Sequence, residues 1–597
     1  MFGKFLIPIC SFALFFCLEG CGSSNNAPPD PPSAALTISP QPALVGAGQS
    51  IQFATNAATG TGVTWAVTGS SGSIDAQGKF TASNVTQNST VTVTVTSTVT
   101  PTNSASTTLF VIAPGTVAAT ANPQVAQYTI SVPDGTSALV QFGTDTNYGL
   151  STWAVPAPSG GGAVSILVAG MKGNTPYHMR AAFQPTGTTN TVFSDADHTF
   201  TTSFYPAANI PAITVATTAG QTPQSGLELL DLISINGGSA LSLVVTDLSG
   251  NVVWAYTPPT GLGPNPIKPL PNGHFLINFS GANPDGLNSL VQEIDLTGQV
   301  VWQMTADQLN AALAAATCAG CNITVIGTHH DFAALPNGHI IFLAANQQTI
   351  SGTQVTGDVL IDFDQNRKPV WLWNAFDHLD VNRHPMNYPD WLHSNAVVYS
   401  PDDKALMISI RHQAWVIKIN YNDGAGDGSV LWKLGYQGDL ALQSGATNAV
   451  DPVDWFNAQH DANIISSNTA GAIDILLFDN GNQRVLDTNG TLCGPSTIPC
   501  DSRVPILHVD ETAKTADITW VDKLAPTFSF FGGSARLLKN GNVEFDECAS
   551  TPQPTANAAI FEVTKTTPPT TVWSMKITSQ NLYRGFRIPS LYPGVQW

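Results

Sequence analysis

The sequence predicts an all-β chain, two β-sandwich modules followed by a six-bladed β-propeller, and three observations carry that prediction. Only 11% of the 597 residues are charged, whereas Gly (51) and Pro (41) are abundant, a composition that favours short strands joined by turns over long amphipathic helices. Apolar and polar residues alternate over long stretches, as in VTVTVTSTVT from Val91 to Thr100, the period of a half-buried strand. Beyond Gly226 a strand ending in tryptophan recurs after a turn: TDLSGNVVW to Trp254, IDLTGQVVW to Trp302, DFDQNRKPVW to Trp371, DGSVLW to Trp432, KTADITW to Trp520 and PPTTVW to Trp573. Repetition of one strand unit at uneven spacing is the signature of a propeller with unequal loops.

Taken in order, residues 1–21 read as a lipoprotein-type signal. Lys4 precedes an apolar run too short for a comfortable membrane span, and Leu18-Glu19-Gly20-Cys21 leads into a polar stretch, which implies export and lipid attachment through Cys21 to the periplasmic or cell-surface side of a membrane. An ordinary secretory signal cleaved nearby is the alternative. Residues 22–34 are a Pro-rich linker. Residues 35–114 resemble a bacterial Ig-like module, with a core tryptophan in VTWAV from Val63, and 115–203 resemble a fibronectin III-like sandwich with a closing HTFTT. Both are expected to be spacers. The propeller occupies 204–597, with hairpin signals at LPNGHFLIN from Leu270, LPNGHIIFL from Leu335, SPDDKALMI from Ser400 and LKNGNVEF from Leu538. The loops 303–327 and 372–390 show no readable pattern.

The net charge of -19 arises from scarce basic residues, 22 against 41 acidic, and disfavours a nucleic-acid partner. Beyond the signal, Cys493 and Cys500 flank a turn that suits a small-loop disulfide. Cys318 and Cys321 suit a tight disulfide better than half a metal site, since no second CxxC completes four thiolates, and Cys548 reads as a buried thiol.

Chemistry is expected where the first strands of the blades converge. These contain GTHHDFAALPNG with His329 and His330, DWLHSNAVVYSPDD with His393 and Asn395, and FNAQHDANIISSN with His460. Strand alternation puts His393 and Asn395 on one face and separates His329 from His330. Distance to the hairpin favours His330 as the inward residue. The same parity separates Arg411 from His412, and Arg411 is favoured because a guanidinium makes several directed bonds to an oxyanion. His378, His384 and His412 are expected to be structural. Asp331 and Asp461 are expected to stabilise blades, and Ser534 lies near the channel without a clear role.

Together HHDFxxLPNG, WLHSN, SIRHQ and QHDA, embedded in DxxGxVVW repeats, resemble the bacterial arylsulfate sulfotransferases (arylsulfotransferases), which do not use the nucleotide sulfate donor PAPS. The resemblance spans the propeller and excludes the Ig-like segment. It implies a phenolic sulfate donor and a phenol acceptor, with no metal or other cofactor. His460 would be the nucleophile, His393 and His330 the catalytic partners, and Arg411, Asn395 and the neighbouring His329 would bind the sulfuryl group. Imidazole suits this task because it is mostly neutral near pH 7. Two other readings compete: a metal-dependent hydrolase or lyase, against which no carboxylate is clearly placed with the histidines, and a non-catalytic surface binding protein.

Overall fold

The computed structural model describes residues 34–597 except 58–61, 187–192, 235–240, 242, 260–261, 281–288, 387–389, 468–470, 495–497 and 552–556. Cys21 and the signal lie outside the described residues. The chain divides into two compact units. In the first, Val63–Thr68 pairs antiparallel with Ser89–Ser97, Val63 opposite Ser97, and Ser50–Gln52 pairs with Lys79–Ala82. Alternation buries Val91, Val93 and Val95. Trp65 is not fully buried as expected for a core tryptophan: it is partly buried, its ring 6.2 Å from that of Phe53.

The second unit begins with a sandwich of two sheets, one built on Ala126–Val132 and Gly162–Val168 and the other on Thr136–Gly143 and Pro176–Pro185. Between them Tyr128, Phe142, Ile166 and Met179 are buried. Hydrogen bonds tie this sandwich to more distant parts of the same unit. Asn122 Nδ2 donates to the Ala255 carbonyl at 3.1 Å, and from the far end of the chain Trp597 Nε1 donates to the Ser151 carbonyl at 2.9 Å.

Six sheets come next in chain order, antiparallel except where Ala441–Gln443 adds parallel to Thr515–Lys523 at the edge of the fifth. Strands Gly263–Pro269, Gly327–Ala334, Ser394–Ser400, His460–Ile464 and Ala535–Leu537 open the second to sixth sheets. In the first sheet that place is taken by the C-terminal strand Gln580–Ile588, which pairs with Leu227–Ser234, Leu227 opposite Ile588. Ala212–Thr217 conversely completes the sixth sheet against Thr571–Thr578. The ends of the chain therefore interlock the first and last sheets, and the result is an all-β, propeller-like arrangement.

The repeated tryptophans sit on the fourth strand of each sheet, and their indole N–H groups explain the repetition. Trp254, Trp371, Trp520 and Trp573 donate to the carbonyls of Leu296, Gly426, Thr566 and Leu248, and Trp432 donates to the Glu511 carboxylate. Each of these five acceptors lies in the next sheet, just ahead of that sheet's own tryptophan, and Trp573 returns the series to the first. An indole supplies a large buried surface together with one donor, so a single residue type both packs a sheet and staples it to its neighbour.

One loop without a readable pattern holds a helix, Ala306–Ala315, started by a capping box in which Thr305 Oγ1 accepts from Gln308 N and Gln308 Oε1 from Thr305 N. The T-x-x-Q signal was present in the sequence, but only Leu309 and Leu313 are buried. Cys318 is bonded to Cys321 and Cys493 to Cys500, while Cys548 is free and buried. Among the described residues no helix is long and apolar enough to cross a membrane.

Candidate functional site

The first strands of the third and fifth sheets carry His329, His330 and His460, His393 directly precedes the first strand of the fourth, and each of these strands is bulged. Register shifts fall between Thr328 and Phe332, Ser394 and Ala396, and His460 and Asn463. His330, His393 and Asp461 adopt left-handed φ of 54°, 55° and 52°. Such a backbone costs a non-glycine residue about 1–2 kcal/mol. A buried charge network offsets it. Arg584, on the C-terminal strand, reaches Asp331 at 3.1 Å and Asp461 at 3.5 Å and donates to the Asn395 carbonyl. Lys268 pairs with Asp331 at 2.5 Å, Arg536 pairs with Asp461, and Tyr583 OH donates to the His330 carbonyl at 3.4 Å.

The bulges overturn the parity argument. His329 and His330 do not point apart: their Nδ1 atoms are 2.9 Å from each other. Arg411 and His412 are not separated either, because Arg411–Gln413 forms a 3-10 turn rather than a strand, and Arg411 Nη1 donates to His412 Nε2 at 2.8 Å. His412, expected to be structural, belongs to the cluster. Asn395 engages its amide with the neighbouring first strand. Its Nδ2 donates to the Gln459 carbonyl at 2.8 Å and its Oδ1 accepts from Asp461 N at 3.3 Å, so its amide joins two first strands.

The rings form a row. His330 lies edge-on to His393 with centroids 4.5 Å apart, and His393 stacks on His412 at 4.7 Å. His393 Nδ1 is 2.6 Å from Asp390 Oδ2, and His412 Nδ1 donates to the Asp390 carbonyl at 2.8 Å. His460 joins through a loop: its Nε2 accepts from Gly532 N at 3.3 Å, and two residues earlier the Phe530 carbonyl accepts from Arg411 Nη2 at 3.2 Å. His460 Nδ1 is 2.6 Å from Asn480 Oδ1. Ser534, by contrast, donates to Asp546 Oδ1 at 2.5 Å and is buried.

Burial and neighbouring charge set the protonation of these groups. His460 is held well below the usual histidine range, by burial first and by the Arg411 cation next. His330 is likewise lowered, by burial and then by His393 and His329. His412 falls to about 3 through burial, His393 and Arg411. His329 is the exception, raised because Asp358, at 3.2 Å from its Nε2, outweighs the opposing effect of burial. The 2.9 Å Nδ1–Nδ1 contact requires one of these two rings to donate to the other.

Asp390, His393 and His412 offer three ligand atoms within 4.8 Å of one another, so a carboxylate does stand beside the histidines, contrary to expectation. Both His412 nitrogens are hydrogen-bonded, however, and Arg411 lies against one of them, an environment unfavourable to a cation. Sequence reasoning missed Asp390, Asn480, Tyr583 and Arg584. Asp390 was signalled by its position three residues before His393, whereas Arg584 lies 253 residues from Asp331 and had no local signal.

No curated protein matches this chain. Among solved structures it is similar to a protein of unknown function from Bacteroides caccae (10% identity, 61% of this chain and 98% of that one, TM-score 0.34). Another is a quinonprotein alcohol dehydrogenase-like protein from Bacteroides thetaiotaomicron (9% identity, 91% and 96%, TM-score 0.29). Neither likeness bears on function. Residues 191–584 match the family described as Arylsulfotransferase (ASST), a match that spans every histidine of the cluster, and the chain belongs to the arylsulfotransferase family.

Proposed function

We propose that this chain transfers a sulfuryl group from a phenolic sulfate ester to a phenol by two displacements through a sulfohistidine on His460. The observation that carries the reading is the meeting of a neutral buried imidazole and a guanidinium on one loop, His460 and Arg411 both bonded to Phe530–Gly532. His460 attacks sulfur as the S–O bond to the aryl oxygen breaks, and the leaving phenolate, whose conjugate acid has a pKa of about 10, takes a proton from a histidine. His393, or His330 passing on a proton received from His329 across their 2.9 Å Nδ1–Nδ1 contact, fills that role, and the same path later takes up the acceptor's proton. Arg411 grips the non-bridging oxygens, a task in which one well-placed donor contributes about 3 kcal/mol. His329 supports His330 from behind. Asn395, its amide engaged between strands, acts on the backbone rather than on the sulfuryl group.

The same reading makes the six sheets blades of one propeller and the N-terminal modules, Ig-like and fibronectin III-like, spacers behind a lipid on Cys21, outside the cytoplasm. Incubation of purified protein with p-nitrophenyl sulfate should release nitrophenol faster when phenol is added, and His460→Asn should abolish both release and the trapped sulfo-adduct. Full activity in that variant refutes the choice of nucleophile. The Asp390, His393 and His412 trio gives a metal-dependent hydrolase as the second reading. Loss of turnover with a chelator and indifference to phenol would favour it.

A further inference from the structure

We propose that Asn480 is the positioning residue of this centre, its amide holding His460 in the tautomer that leaves the lone pair on Nε2 and so making Nε2 the atom that attacks sulfur. The inference rests on the sulfuryl-transfer reading and names the reacting nitrogen within it.

Two independent constraints, each anchored in backbone, agree. Asn480 Nδ2 donates to the Ser529 carbonyl at 2.7 Å and to the Gly532 carbonyl at 3.0 Å. Carbonyls only accept, so the NH2 group must face them and Oδ1 must face His460 Nδ1, 2.6 Å away. An amide oxygen only accepts, so Nδ1 must carry the proton. From the other side the Gly532 N–H points at Nε2 at 3.3 Å, and a backbone N–H only donates, so Nε2 must be bare. Asn480 is fully buried, and its own carbonyl accepts from Ser502 Oγ at 2.9 Å while Ser502 Oγ accepts from Ser529 N at 2.9 Å. Turning the amide over would set its oxygen against the two carbonyl oxygens of Ser529 and Gly532.

In the first displacement the Gly532 N–H gives up its hydrogen bond to Nε2, the Nε2–S bond forms from the lone pair so freed, and the S–O(aryl) bond breaks, its electron pair going to the phenol oxygen together with a proton from a neighbouring histidine. The sulfated ring is then cationic with its proton still on Nδ1, and Asn480 Oδ1 accepts from that N–H throughout. In the second, the acceptor oxygen attacks sulfur, its proton passes to the same histidine, and the N–S pair returns to Nε2. Asn480 thus acts through His460 without touching the substrate.

The test uses the intact protein labelled with 15N-histidine, the His460 signals being identified by their loss in His460→Asn. The expected wild-type spectrum shows a protonated Nδ1 and a bare Nε2 near neutral pH; a proton on Nε2 overturns the proposal without recourse to any variant. Asn480→Leu should show mixed tautomers and a kcat for p-nitrophenyl sulfate lower by roughly 10- to 100-fold, with the donor KM little changed. Asn480→Asp keeps an acceptor at Nδ1 but loses both donors to the loop, and it should retain the tautomer and most of kcat. Equal loss in the two variants with the tautomer intact would make Asn480 a loop anchor and overturn its positioning role. A wild type with Nδ1 protonated that transfers no sulfuryl group overturns the reaction and leaves the tautomer lock standing.

Discussion

Arg584→Met removes the cation on which two of the bulged strands converge. Arg584 is 1% exposed in its side chain, and its pKa is raised because Asp331 and Asp461 outweigh the effect of burial. Breaking a buried pair by deleting one partner costs about 3–5 kcal/mol. Asp331 keeps Lys268 and Asp461 keeps Arg536, which puts this site at the lower end, about 3 kcal/mol. The Asn395 carbonyl also loses its donor, adding about 1 kcal/mol. The total, about 4 kcal/mol, should appear as a lower urea midpoint in unfolding followed by tryptophan fluorescence. Lys404→Met is the control: its partner is Asp423 and its side chain is 53% exposed, so the cost should stay below about 1 kcal/mol. Because Asp331 follows His330 and Asp461 follows His460, Arg584→Met should also lower kcat under folding conditions. A variant within about 1 kcal/mol of wild type would refute the claim that this network holds the left-handed turns.

Two further outcomes are expected. Arg411→Met should lower kcat for sulfuryl transfer by about 10²- to 10³-fold through loss of an oxyanion donor, read as initial rates with p-nitrophenyl sulfate and phenol. Because His460 is held below the usual histidine range by burial and by Arg411, its neutral form persists as pH falls: the pre-steady-state nitrophenol burst should stay level in wild type as pH falls from 8 through the ordinary histidine midpoint of about 6.5 and fail at a higher pH in Arg411→Met, where the repelling cation is gone and the His460 pKa rises. A wild-type burst that titrates away near pH 6.5 would contradict the neutral-nucleophile argument.

The sequence by itself determined those features that local spacing encodes. Alternation over Val91–Thr100 specified strands because side-chain direction repeats every two residues, and the six tryptophans marked one strand in each sheet. The motifs around His330, His393, Arg411 and His460 marked the family, which matches over residues 191–584. Tertiary structure alone decided which way those side chains face. A bulge, or the 3-10 turn at Arg411–Gln413, breaks alternation without any local sign that parity can read, so His329 stands beside His330 and His412 beside Arg411. Asn480 and Arg584 act on partners 20 and 253 residues away. Asn480 meets His460 because neighbouring strands of one sheet pair with His460 opposite Phe478, whereas Arg584 meets Asp331 only once separate sheets have assembled, a distance in space that spacing along the chain does not encode.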